Sequence, residues 1–214
     1  MATLILSLCA LMTFGLSLAS IADRVLTRSV QWFAGALAAF PLVYLVLGAP
    51  ATAAVHTFVH GGLYALCAPR WAELLRKSDR ERIWYFSLSK LLGALSVLLI
   101  SGWLFGALRS GFDYETLVAQ CLAVAVFSMG AIGAIVRRHA LNVAMGLVLM
   151  FNAAGLLVAA SDASAVWASA WGAGVAAIAG AHMLAGLWIV LGVVRTRGTA
   201  DLDELDALRD ELRG

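Results

Sequence analysis

The chain has 214 residues, 62% of them hydrophobic and 13% charged, with a formal net charge of +2; its mean hydropathy is +0.90. A soluble domain of this size does not need that much apolar surface to fill its core, so the composition excludes an ordinary water-soluble enzyme. With no soluble domain left to carry it, nucleic-acid binding is excluded as well.

The apolar residues form runs near or above the roughly 20 residues needed to cross a bilayer as a helix. They predict seven spans: Ala2–Ala22, Val30–Gly48, Ala51–Ala68, Trp84–Leu108, Glu115–Val136, Ala140–Ala160 and Trp167–Val194. Lipid permits only helices or closed barrels, and no period-2 alternation favours strands. The fold expected is therefore an all-α, polytopic membrane helix bundle. The first run has no basic segment before it and reads as a retained helix rather than a cleaved signal. The link Gly48-Ala49-Pro50 between the second and third spans is very tight. Glycines crowd the last three spans, among them Gly130, Gly133, Gly146, Gly155, Gly172 and Gly186. Such surfaces let helix backbones approach closely.

Basic residues follow the first, third, fifth and seventh spans: Arg24 and Arg28; Arg70, Arg76, Lys77, Arg80 and Arg82; Arg137 and Arg138; and Arg195, Arg197, Arg209 and Arg213. The other side carries only Arg109. By the positive-inside rule the N-terminus lies outside and the C-terminus in the cytoplasm. Trp71, Trp84, Trp103, Trp167 and Trp171 stand where interfacial anchors belong, whereas Trp188 breaks that pattern and is expected to pack against another helix. The segment Arg70–Arg82 reads as a short interfacial helix or a solvated basic loop. In the tail, Asp201 and Glu204 form a capping pair, and Leu202, Leu205, Leu208 and Leu212 recur at helical spacing. That leucine face is expected to dock on a partner subunit's cytoplasmic face or on the membrane surface, its acidic character favouring the partner.

The long apolar runs hold few ionisable groups: His56, His60, Lys90 and His182, with His139 at a boundary and no carboxylate. Charges at mid-bilayer are costly, which makes these residues functional candidates by default. His56 and His60, four apart, share a helix face. They fit a polar channel face, or hydrogen bonds to a neighbouring helix; a metal pair would lack a third ligand. Lys90 lies near Trp84 and can snorkel to the interface or pair between subunits. Cys9, Cys67 and Cys121 show no C-x-x-C spacing, against a disulfide framework, zinc or an iron–sulfur centre; no cofactor and no metal is expected in this chain.

The segment Arg137-Arg138-His139-Ala140-Leu141-Asn142, running into Gly146 through Asn152-Ala153-Ala154, resembles the K subunit of respiratory complex I. With the ending Arg195-Thr196-Arg197-Gly198-Thr199-Ala200-Asp201-Leu202, it resembles still more the E component of hydrogenase-4 and formate-hydrogenlyase-type complexes, a longer relative with extra N-terminal helices. The resemblance covers about Glu115–Gly214. It implies residues 1–114 as a four-helix membrane extension, 115–194 as a K-like three-helix unit and 195–214 as a cytoplasmic tail. It further implies a non-catalytic inner-membrane subunit between antiporter-like subunits and a hydrogenase- or quinone-linking subunit, in contact with lipid. A subunit of a multi-subunit cation/proton antiporter, or a stand-alone channel or scaffold, remains an alternative.

In the K subunit two membrane glutamates lie on successive helices; their positions fall here on Val148 and His182. The candidate proton path is therefore His182, His56, His60, Lys90 and Asn152. His182 can relay protons near neutrality or be a satisfied structural histidine, and Asn152 on the preceding helix is its expected partner. Arg137 and Arg138 anchor the cytoplasmic turn.

Overall fold

The computed structural model describes residues 2–23, 25–62, 64, 113–161 and 166–211. The expected fourth span, Lys90, the segment Arg70–Arg82 and most of the third span beyond Gly62 lie outside the described residues. So do Cys67, Trp71, Trp84, Trp103 and Arg109.

The described elements are all helical: α1 (Ala2–Ala22), α2 (Leu26–Val46), α3 (Pro50–His56), which runs on through a π-helical turn at Thr57–Gly61, α4 (Tyr114–Val136), α5 (Ala140–Ser161), α6 (Val166–Arg197) and α7 (Leu202–Glu211). Five are long and apolar enough to cross a membrane: Thr3–Ala22, Leu26–Val46, Tyr114–Val136, Ala140–Ala160 and Ala170–Arg197. Hydroxyls in α1 bond back to their own helix, Thr13 Oγ1 to the Cys9 carbonyl at 2.8 Å and Ser20 Oγ to the Ser17 carbonyl at 2.7 Å. These two therefore need no partner from a second helix to sit in an apolar medium.

Asp23 separates α1 from α2. Its carboxylate accepts the Val25 N–H at 2.9 Å and the Trp32 indole N–H at 3.3 Å, and it lies 3.8 Å from the Arg28 guanidinium. α2 therefore starts at Leu26, four residues before the expected Val30. Pro41 sits inside α2, where it withholds one backbone donor. The turn at Gly48 closes as expected: Gly48 has φ +75°, a left-handed conformation that suits glycine. The Ala49 N–H reaches back to the Tyr44 carbonyl at 2.9 Å, and Pro50 opens α3 at a position where its missing N–H costs nothing.

α4 and α5 form a hairpin whose backbones touch. A Cβ added at Gly130 would lie 2.5 Å from the Gly146 carbonyl oxygen, and one at Gly146 would lie 2.6 Å from that of Gly130. α1 seats Ile21 against Gly133. α2 contributes the fully buried Phe33, Phe40 and Tyr44 to one core that also holds Met145, Leu149 and Leu156 of α5. α3 lies against α6, where Thr52 fills the space beside Gly172. The N-terminal helices and the K-like hairpin thus share one core.

The root of the tail is tied down within this chain. Ala200–Leu202 forms a short antiparallel bridge with the α4–α5 connection: Ala140 N–H donates to the Ala200 carbonyl at 3.0 Å and Leu202 N–H to the Arg138 carbonyl at 2.9 Å. Asp201 caps α7 by accepting the Asp203 N–H at 2.9 Å, and Arg138 lies 3.6 Å from Asp203. The root of the tail is held by this chain's own turn because strand-like pairing satisfies backbone groups that neither helix end can. Leu202 and Leu205 are half-buried. Trp188, expected against another helix, is 64% exposed within this chain.

Candidate functional site

One group of buried polar residues gathers around a single amide. Asn152, on α5, is 1% exposed. Its Nδ2 donates to the Val148 carbonyl one turn back at 2.9 Å, which sets the amide's orientation. Oδ1 then accepts from His56 Nε2 at 2.8 Å, and Nδ2 reaches His60 Nε2 at 3.4 Å. The first pairing makes His56 the Nε2–H tautomer. The second makes His60 the Nδ1–H tautomer, whose proton goes to the His56 carbonyl at 3.3 Å. These assignments follow from the donor and acceptor inventory of amide and imidazole.

The two imidazoles stack, with centroids 4.1 Å apart and an interplanar angle of 17°. Both are buried, His56 at 0% and His60 at 1% exposure. The rings of Phe40 and Tyr44 each lie 5.7 Å from that of His56, and the Tyr44 hydroxyl donates to the Asn152 main-chain carbonyl at 3.3 Å. Gly155 gives that hydroxyl room, since a Cβ there would sit 3.3 Å from it. One nitrogen of the cluster, His56 Nδ1, is buried without a hydrogen-bond partner. The chemistry available is that of two neutral imidazoles held by one amide, with one ring nitrogen open.

His56, His60 and Asn152 are thus brought together, but His182 is not part of the group. It lies on the exposed face of α6, where its Nδ1 donates to the Ile178 carbonyl at 2.9 Å and its ring is 4.4 Å from that of Phe151. The pairing of His182 with Asn152 expected from adjacent helices is corrected: Asn152 turns toward α2 and α3, and His182 turns outward. Val148 is buried at 1% exposure, and its carbonyl rather than its side chain serves the site. Sequence patterning does not single out Tyr44; its one signal is that a tyrosine inside an apolar run needs a partner for its hydroxyl.

A second polar cluster closes one end of the bundle. Arg137, 2% exposed, donates from Nη2 to the Asp23 carbonyl. This ties the α4–α5 turn to the α1–α2 turn. Ser29 Oγ donates to the Ser20 carbonyl and lies 3.2 Å from Asn142 Oδ1. His139 is buried at 3% exposure and its Nδ1 accepts the Leu141 N–H at 3.2 Å. Burial pushes its pKa down to about 4; Asp201 pulls it up and Arg137 pushes it down further. Arg137 thus contacts the α1–α2 turn and Arg138 the tail.

An open groove of about 280 Å³ between α4 and α5 is lined by Phe127, Leu157 and small residues with Ser128 as its only polar side chain. It offers no donor set for a cofactor.

The family described as NADH-ubiquinone/plastoquinone oxidoreductase chain 4L matches residues 118–210. NADH-quinone oxidoreductase subunit K of Anaeromyxobacter sp. (strain Fw109-5) is 40% identical over 91 residues, which are 42% of this chain and 91% of that protein. NADH-quinone oxidoreductase subunit K 2 of Streptomyces avermitilis is 40% identical over 104 residues, 44% of this chain and 76% of that protein. NAD(P)H-quinone oxidoreductase subunit 4L of Synechococcus sp. (strain JA-3-3Ab) is 35% identical over 92 residues, 41% of this chain and 90% of that protein. No solved structure matches the chain.

Proposed function

The chain belongs to the NADH-ubiquinone/plastoquinone oxidoreductase chain 4L family, and from that premise we propose that it is a non-catalytic integral membrane subunit of a complex I-like oxidoreductase of the hydrogenase-4 or formate-hydrogenlyase type. It links larger membrane subunits and contributes to redox-coupled proton transfer. Electron carriers belong to other subunits, and its place is the inner membrane with the tail in the cytoplasm.

The observation that carries this reading is the way the N-terminal helices join the K-like unit. The match begins at residue 118, yet His56 and His60 from before it close on Asn152 within it. The resemblance to the hydrogenase-4 E component implies a longer chain with an N-terminal extension, and here that extension supplies His56 and His60. The alternative membership, in a multi-subunit cation/proton antiporter, uses the same K-like unit without redox partners.

Purification of the tagged chain from its native membrane in gentle detergent tests this. The expected result is co-purification with antiporter-like membrane subunits and with subunits carrying iron–sulfur or hydrogenase centres. Antiporter subunits with no redox centre would replace the reading by the antiporter alternative, and a lone oligomer would refute both.

A further inference from the structure

We propose that the His56–Asn152–His60 bridge binds one proton during turnover, and that His56 Nδ1 is where it binds. This rests on, and deepens, the reading of the chain as a subunit in a proton-coupled complex.

Every N–H and every ring nitrogen in the cluster can be accounted for. His60 spends both nitrogens, Nδ1–H on the His56 carbonyl and Nε2 on the Asn152 amide. Asn152 spends Nδ2 on His60 and on the Val148 carbonyl and takes the His56 proton on Oδ1. His56 Nε2–H is committed to that oxygen. The hydrogen bonds close on themselves, from His56 through Asn152 and His60 back to the His56 backbone. What is left is His56 Nδ1, fully buried and without a partner. A buried acceptor in that condition is costly, and a proton with its delivering water satisfies it.

The step is simple to balance. An N–H bond forms at Nδ1, the O–H bond of a hydronium in an internal water chain breaks, and water is left. The imidazolium is discharged by the reverse reaction. In that state the Nε2–H···Oδ1 bond becomes charge-assisted and stronger, and the ring centroids of Phe40 and Tyr44 stand within cation–π range. A second proton is refused, because two imidazolium rings 4.1 Å apart repel. Among the described residues no opposite charge compensates. The titratable group there whose ring lies against the pair is Tyr44 from α2; Tyr64, beyond the π-helical turn, packs against the same core. α5 has no ionisable side chain, and α6 has none between Val166 and Ala181. Asn152 is a positioning residue in this scheme, since it decides which nitrogen of each histidine is open.

Two measurements on the full chain test the proposal. The first is nitrogen-15 NMR of the histidine-labelled protein in lipid bilayers, titrated with acid over the range in which it stays folded. His56 is expected to start as the Nε2–H tautomer and His60 as the Nδ1–H tautomer. One imidazolium should then appear, assigned to His56 by its loss in His56→Gln. Asn152→Leu should scramble the starting tautomers. Protonation of His60 first, of both rings together, or of neither ring overturns the proposal, as do tautomers unchanged in Asn152→Leu. The second is turnover-linked proton uptake by the purified complex. His56→Gln keeps an amide donor toward Asn152 but loses the titratable nitrogen, so it should slow proton uptake by about 100-fold in a complex that still assembles. Uptake at the wild-type rate overturns the proposal while leaving the membership reading intact. Failure to find redox partners overturns membership, and the NMR titration then still decides the proton site.

Discussion

Replacing Gly130 by alanine should force the α4–α5 hairpin apart. The added Cβ would stand 2.5 Å from the Gly146 carbonyl oxygen, 2.8 Å from Met150 Cγ and 3.0 Å from the Met150 backbone nitrogen. Ordinary contact begins at 3.4 Å, so the closest pair must separate by 3.4 − 2.5 = 0.9 Å. The Met150 side chain can swing away, but the Gly146 oxygen and the Met150 nitrogen belong to a helix backbone and cannot. A gap of about 0.5–1 Å forfeits a quarter to a half of each van der Waals contact along the seam, and overpacked cores lose about 1–3 kcal/mol. Membrane helices have little hydrophobic drive to compensate, because lipid is as apolar as the partner helix. Gly146→Ala meets Gly130 O at 2.6 Å and Ala134 N at 2.9 Å and should behave alike. Gly174→Ala, with nothing within 4 Å of its added Cβ, is the control. Thermal unfolding of the purified chain in a mild detergent reads the effect. If both seam variants melt with the Gly174→Ala control, close backbone packing is not what holds the hairpin.

Three further outcomes are expected. Asn152→Leu strands His56 Nε2–H and His60 Nε2 in the core; at about 1–3 kcal/mol for each unsatisfied group the loss is about 2–6 kcal/mol, readable as the same unfolding shift, whereas Tyr44→Phe should cost only about 1 kcal/mol. His139 has a folded pKa near 4 against an unfolded value near 6.5, so acid protonates the unfolded chain first. Its stabilising share is full above pH 6.5 and falls away between 6.5 and about 4, by up to about 3 kcal/mol. Melting curves at neutral and mildly acid pH should show that slope, and His139→Gln should flatten it. Asp203→Asn removes an exposed ion pair with Arg138 and should change stability by less than about 1 kcal/mol; detachment of the tail, seen as faster proteolysis after Gly198, would show that the pair rather than the backbone bridge holds it.

Much of the helical scaffold is legible in the order of the residues. Apolar runs locate α1, α2, α4, α5 and α6 because a bilayer demands length and hydropathy, both local properties. Gly48-Ala49-Pro50 announces its turn, as glycine takes positive φ and proline opens a helix. Crowded glycines signal close packing, and Gly130 and Gly146 bear it out. His56, His60 and Asn152 stand out as the uncommon polar groups of apolar segments, but not as one another's partners.

The pairing cannot be read from the chain because membrane helices are apolar nearly all round, so no polar face says which way a helix turns. Asn152 has the same neighbours in sequence whether it meets α6 or α3. Contacts between residues 96 and 92 positions apart decide it. Those contacts follow from α2 wedging Phe40 and Tyr44 against α5, with α3 turned back by Gly48 to lie beside them. The outward turn of His182 and Trp188 follows from the other side of the same fact, since α6 offers its small residues to α3 and α5 at Gly172 and Gly186. Sequence by itself determined which of the described segments are long and apolar enough to cross a membrane and where the Gly48 turn falls, through local cost in lipid. Tertiary structure decided which buried polar groups satisfy one another, because that depends on helix rotation and only packing sets it.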